Sequence, residues 1–475
     1  MPAPSRAQPA GARPGARRAA AHVPPRLLGV VTPLFIELCL GIGVGVIGTV
    51  LAARLSDASG AAFALANHVV GMLFILFRIV GAGVSVVVAQ SLGRGQREQA
   101  NAVALATLGA ATWIGAFTAV VAWVGATPFL QLLNAPADVL AQAAPLLRWL
   151  APAMLFDAWN ATQASVMRAH LRGADVLRVI AVMHASHLAL AWLLMYGAGP
   201  LPPLGLPGFA IALALSRALG VVMHLVLWRT RLGLRPSLAD AWRLRRRELA
   251  AVLRIGTPGA AEAIAYRLCF MVSLAAVGTL GAPALAAHAY ASQVTYAVLL
   301  AGLATGLAVE IVVGHLIGAG DLHAAHRLVR RALAAGLVTS MVAAGAAALA
   351  GPWLLAVFTQ DPQILAQAAV LLWWTVLLEP GRTFNLVVIN ALRAAGDARY
   401  PVVVGAGSML VVLAGGSWLL GVHLGLGLVG VWLAYAADEW LRGLLMWRRW
   451  ARLGWVPHAR AVHHRLRHSA RGEAG

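Results

Sequence analysis

Apolar residues dominate this chain in long unbroken runs. They fall at 28–54, 62–89, 102–128, 140–167, 177–198, 206–228, 252–280, 285–316, 327–356, 364–391, 401–422 and 426–447. Crossing about 30 Å of hydrocarbon takes about 20 helical residues, and each run reaches that length. Barrel strands would alternate apolar and polar positions, and these runs do not, so the pattern predicts helices. The expected fold is an all-α integral membrane protein with twelve transmembrane helices.

The loops between the runs alternate in charge. Even-numbered connections hold Arg94 and Arg97, Arg172 and Arg178, the stretch Arg229 to Arg254, then Arg327, Arg330 and Arg331, then Arg399. Odd-numbered connections hold Asp57, Asp138, Asp361, Pro and Gly, with Arg54 and Arg148 as exceptions at span edges. Positive charge stays on the cytoplasmic side, so both termini are expected there. Residues 1–27 read as a disordered basic tail. A cleaved signal is rejected, because the following run is too long, contains Glu37 and lacks a clear cleavage site. Residues 28–228 form an expected N-lobe and 252–447 a C-lobe. Between them, 229–251 is an Arg-rich linker, in which 236–249 reads as a surface amphipathic helix or a solvated linker. Residues 448–475 form a second basic tail.

Composition sharpens the class. Sixty per cent of the 475 residues are hydrophobic and 11% charged, against about 45–50% and about 25% in soluble domains. Mean hydropathy is +0.77. A disordered chain, a disulfide scaffold and an ordinary soluble enzyme are excluded. The 37 basic residues are all Arg, and with 17 acidic residues the net charge is +20. Such charge can signal nucleic acid, but most of it sits at the termini and in alternate loops, where it serves topology, so no nucleic-acid partner is expected. Cys39 and Cys269 lie in apolar runs and read as packing residues.

The chain also repeats itself. Pro33 and Pro258 are 258 − 33 = 225 residues apart, and the same offset joins Glu37 to Glu262, Gly93 to Gly318, Gly95 to Gly320, Trp149 to Trp374, Asn160 to Asn385 and Arg168 to Arg393. Six spans per half is an even number, so the two halves are parallel repeats about an axis along the membrane normal. Two such lobes around a cleft point to a secondary transporter.

These landmarks resemble a known family. PLFIEL at 33–38, AQSLGRGQ at 89–96, GTPGAAE at 256–262, VGHLIGAGD at 313–321 and EPGRTFNLVVINALRAAGDARYP at 379–401 are similar to the multidrug and toxic compound extrusion (MATE) family, bacterial branch, over residues 28–447. The resemblance implies twelve helices in two six-helix lobes. It also implies export of amphiphilic or cationic organic compounds against inward H⁺ or Na⁺ flow, H⁺ preferred, across a bacterial inner membrane. A small-molecule substrate, the lipid bilayer and a monomeric working unit are the expected partners. Two familiar coupling positions differ here: Gly48 stands where many members have an Asp, and Tyr266 where another branch has a Glu.

No nucleotide-binding, metalloprotease or zinc motif is present, so neither ATP hydrolysis nor an organic cofactor is expected. Ion coupling then needs ionisable groups inside the membrane. Glu37, about 14 Å into its span, is expected near the midplane, and Glu262 matches it. A carboxylate there costs at least ~2.5–3.5 kcal/mol unless it faces a cavity, pairs or protonates. Pro33 and Pro258 each free a carbonyl and loosen the helix beside the acid. Asp157 corresponds to Arg382 at the repeat offset, and Glu379 is three residues from Arg382, so those two can face each other on one helix. They either neutralise each other or exchange partners when a proton or substrate arrives. Asn160 and Asn385 lie one turn from Asp157 and Arg382. Asn67 and Gln293 could contact substrate or ion, or tie helices together. Glu310 could gate or snorkel. Arg78, Arg217 and Arg267, inside apolar runs, need carboxylates. Asp438 and Arg442 are expected to pair. His184, His187, His224 and His288 read as interhelical hydrogen-bonding groups, and the spacings Gly41/Gly45 and Gly302/Gly306 as close helix packing. A lipid-linked precursor flippase is the alternative, and it would need several unpaired intramembrane arginines.

Overall fold

The computed structural model describes residues 26–133, 135–197 and 201–472. The tail assigned to 1–27 lies outside them except for its last two residues, as do the side chains of Arg78 and residues 467–472. Twelve long helices follow in order: α1 Leu27–Ala53, α2 Asp57–Gly93 with a break at Phe74, α3 Arg97–Val124, α4 Ala137–Ala169, α5 Gly173–Tyr196 and α6 Leu206–Leu232. The second half holds α7 Arg246–Thr279, α8 Ala282–Ala319, α9 Leu322–Leu349, α10 Pro362–Ala394, α11 Arg399–His423 and α12 Gly427–Ala451. Each overlaps one predicted run.

Eleven of these are long and apolar enough to span a membrane on composition alone. The twelfth, α12, carries buried Asp438, Glu439 and Arg442. These charges lower its hydropathy but are paired inside the lobe. Large apolar side chains point outward elsewhere: Phe117, Val120 and Trp123 on α3 are each more than half exposed. On a soluble protein this would be an interaction or aggregation surface; here it is the lipid-facing surface.

In the N-lobe α4 packs against α3 and α6, and α5 against α6. In the C-lobe α10 packs against α8, α9 and α12. The two lobes meet through α2 on α7, α2 on α8 and α1 on α8. The close approaches between them cluster near the end of the bundle that carries the chain termini, here the terminal face. A Cβ on Gly93 would overlap the His315 carbonyl oxygen, and one on Gly318 the Gln90 carbonyl oxygen. A Cβ on Gly256 would overlap the Ile79 carbonyl oxygen, and one on Gly83 that of Val252. Glycine is required at these crossings because two backbones touch. The first half of α2, Asp57–Leu73, packs within its own lobe. The lobes are therefore shut at the terminal face and diverge toward the opposite, distal face.

Several boundaries differ from the sequence expectation. The linker is not one helix over 236–249. A short helix, Leu238–Trp242, starts at a capping box between Ser237 and Asp240 and ends in extended backbone at Arg243. Arg245 turns back onto Asp240 at 2.5 Å, and α7 starts at Arg246. The interval 448–475 is not a plain tail: α12 runs to Ala451, and α13, Val456–Gly472, folds back against the terminal face. Gly302 and Gly306 do bring α8 against α10, at Thr383, Leu386 and Asn390, whereas Gly41 and Gly45 face open space. Cys269 is buried as expected, but Cys39 is exposed.

Candidate functional site

The repeat landmarks assemble into matched ion pairs. Glu37 on α1 lies 3.7 Å from Arg168 on α4. At the same offset, Glu262 on α7 accepts a short hydrogen bond from Arg393 on α10. Each acid follows its proline by one turn, and each arginine ends the fourth helix of its repeat. Glu310, buried on α8, is in electrostatic range of Arg393. The depth expected for Glu37 needs correction. Pro33 faces Gly173, the first residue of α5, at 3.5 Å from where a Cβ would stand. The carboxyl is thus about one turn, roughly 6 Å, inside the terminal end of the bundle and not at the midplane.

Deeper in the N-lobe, Asp157 on α4 pairs with Arg217 on α6 at 2.8 Å. Asn160 supports this pair: its amide donates to the Arg217 carbonyl at 2.8 Å, and its oxygen meets His224 at 3.1 Å. Gly48, in place of the familiar acid, packs against Phe63 and Phe209.

The C-lobe holds a larger cluster. Glu379 and Arg382 on α10 meet at 2.5 Å. Arg382 also reaches Glu439 on α12 at 3.4 Å, and Asn385 donates to Glu439 at 3.0 Å. Arg442 bridges Asp438 at 2.7 Å and Glu439 at 2.9 Å, while Ser408 donates to Asp438 at 2.7 Å. The Tyr266 ring lies 6.0 Å from the Arg442 guanidinium. Three carboxylates thus face two guanidiniums in buried surroundings, and Glu379 Oε2 has no hydrogen-bond partner.

The structure joins Glu379, Arg382 and Asn385 in one cluster and Asp157 with Asn160 in another. Asn67 and Gln293 join neither; both are exposed, on α2 and α8. Arg217 finds its carboxylate, but Arg267 is exposed and forms no ion pair among the described residues. His288 accepts from Trp432 at 3.1 Å, as an interhelical bonding residue should. Glu439 was missed. Its signal was the adjacent pair Asp438-Glu439 inside a span, with Arg442 three residues on.

Two parallel six-helix lobes, closed at one face and carrying buried charge clusters, have the build of a multi-pass membrane transporter. The chain belongs to the MatE family, whose model matches residues 33–193 and again 258–418, two stretches set apart by the repeat offset. It is 30% identical over 430 residues to the Bacillus subtilis protein named uncharacterized transporter YisQ, covering 90% of this chain and 94% of that one. A probable multidrug resistance protein NorM from Bradyrhizobium diazoefficiens is 28% identical over 417 residues, covering 84% and 87%. Among solved structures, an outward-facing multidrug resistance MATE transporter shares the fold with a TM-score of 0.83 at 17% identity, covering 91% of this chain and 96% of that one.

Proposed function

We propose that the protein is a secondary active antiporter of a bacterial inner membrane. It exports amphiphilic organic compounds in exchange for H⁺, with no organic cofactor and one chain as the working unit. The arginine-rich loops support placing the terminal face in the cytoplasm; the closed face is then the cytoplasmic gate and the cleft opens outward. The observation that carries the reading is the excess of one carboxylate in the cluster of Glu379, Asp438, Glu439, Arg382 and Arg442. A buried unbalanced charge is costly, and a proton is the smallest group that removes it. Glu379 Oε2 is the open position. Protonation there weakens the hold of Glu379 on Arg382 and leaves that guanidinium to Glu439, a partner exchange across α10 and α12. H⁺ fits better than Na⁺, because the guanidiniums already occupy most carboxylate oxygens and repel a second cation. A flippase is disfavoured, since Arg168, Arg217, Arg382, Arg393 and Arg442 all have carboxylate partners.

The test is dye transport in everted vesicles energised by ΔpH or by a sodium gradient, with wild type beside Glu379→Gln and Glu37→Gln. The expected result is ΔpH-driven transport that Glu379→Gln uncouples while dye exchange without a gradient persists. Sodium-only drive, or an unchanged ΔpH response in Glu379→Gln, would overturn the assigned coupling. No movement of any dye under either gradient by folded, inserted protein would overturn the exporter reading itself.

A further inference from the structure

Among the described side chains, Arg267 is the mid-span arginine that the clusters above leave over. It is exposed on α7 and forms no ion pair among the described residues. An arginine facing lipid at this depth would be costly, so such residues face a partner or a water-filled space. The helix geometry says which. Gly256 marks the side of α7 that touches α2, at Ile79. Arg267 lies 267 − 256 = 11 residues on, three turns plus about 20°, so it shares that side and sits about 16 Å nearer the distal face. That side of α7 faces the other lobe, and at this depth the lobes have parted.

The first half of α2, distal to its break at Phe74, carries exposed polar groups. His68 and Asn67 are exposed there, on the distal side of the Gly83 and Ile79 contacts with α7. Gln293 on α8 is the repeat equivalent of His68 (293 − 68 = 225) and is exposed too. Exposed Ile264 and Met271, at 45% and 52%, flank Arg267 one turn away on either side. Asp157, the half-buried acid of the N-lobe, is engaged by Arg217 at 2.8 Å.

We propose that Arg267, with Asn67, His68 and Gln293, forms an oxyanion-accepting subsite in the transport cleft. The exported amphiphile then carries a carboxylate or similar oxyanion beside its apolar body. This rests on the exporter reading and narrows its substrate class. The guanidinium supplies charge and a planar donor fork, the amides and imidazole supply additional polar contacts, and Ile264 and Met271 supply apolar surface.

The test uses purified full-length protein in proteoliposomes with two matched dyes: rhodamine 110, which has a free carboxylate, and its methyl ester rhodamine 123, which does not. We expect wild type to carry rhodamine 110, and Arg267→Gln to lower the ratio of acid to ester transport about tenfold, the scale of one lost charge-assisted contact. Arg267→Lys should keep most of that ratio. An unchanged ratio in Arg267→Gln would overturn the subsite, since a merely structural arginine would slow both dyes alike. ΔpH-driven transport of the ester alone by wild type would overturn the subsite and leave the exporter reading intact. Transport of neither dye would overturn both.

Discussion

Gln90 and His315 hold the same place in the two repeats and make the same bond in opposite directions. Gln90 Nε2 donates to the Ala394 carbonyl, and His315 Nε2 donates to the Ala169 carbonyl, each at 2.8 Å. Both carbonyls end the fourth helix of the other lobe. The closed face is therefore latched twice across a pseudo-twofold axis, beside the Gly93 and Gly318 crossings. A methyl group at either glycine has only backbone to push against. Gly318→Ala should consequently hold the lobes apart at this face. The readout is labelling of Ala89→Cys in a background lacking Cys39 and Cys269. Ala89 is fully buried in the closed form, so labelling should be slow in the parent and several-fold faster with Gly318→Ala. Equal rates would mean that the crossing does not set the gate.

The matched acid pairs should not cost the same to break. Glu262 and Arg393 form a tight bond with little exposure on either side chain, whereas Glu37 and Arg168 stand 3.7 Å apart with Arg168 19% exposed. Removing one partner of a buried pair leaves an uncompensated charge. Glu262→Gln should lower stability by about 3 kcal/mol, and Glu37→Gln by about 1 kcal/mol or less. Thermal unfolding in detergent measures both. Adding Arg393→Gln to Glu262→Gln should recover much of the loss; further loss would show that Arg393 works mainly through other partners.

Much of this was readable in the residues. Continuous apolar runs fixed twelve helices, and the repeat offset that joins Glu37 to Glu262 also joins Arg168 to Arg393. Two acids and two arginines kept in one register are what a paired contact requires, yet spacing alone does not show that α1 and α4 bring them together. The depth of Glu37 was misjudged because distance was counted from the start of an apolar run, while α1 begins before Pro33, the level at which α5 starts. The charges of α12 depressed its hydropathy, and Glu439 went unnoticed beside Asp438. The shape of the linker rests on the Ser237–Asp240 capping box and on one further side-chain bond, Arg245 to Asp240, and periodicity encodes neither.

That bond gives the linker a pH dependence. Burial works to raise the Asp240 pKa, but hydrogen bonds from Ser237 and the guanidinium of Arg245 outweigh it and hold the pKa below the usual value. A carboxylate with a depressed folded pKa stabilises its fold above the unfolded value of about 3.9 and loses that contribution as pH falls through the folded value. Amide exchange over Leu238–Trp242, corrected for intrinsic rates, should therefore stay protected from neutral pH down to about 4 and weaken only below it. Asp240→Asn should weaken protection even at neutral pH. Loss of wild-type protection near pH 6 would point to histidine and not to Asp240.

The terminal helix α13 is positioned as a strap over the closed face. On the N-lobe side Arg94 contacts the His463 ring at 2.9 Å, and Gln96 donates to the Leu466 carbonyl at 2.6 Å. On the C-lobe side His463 packs beside Gly320, Val462 packs against Gly396, and His458 lies 3.9 Å from Asp397. One helix thus holds loops of both lobes, and opening this face must break one set of contacts. Truncation after Leu453 removes the strap but keeps the bond of Arg449 to Asp397 at 2.9 Å. It should favour the form open at this face, raising Ala89→Cys labelling above the parent without abolishing transport. Combining it with Gly318→Ala tests whether strap and crossing act on one equilibrium. If they do, labelling in the double variant should approach a common ceiling; a rate still unchanged in the truncation alone would make α13 a passive attachment.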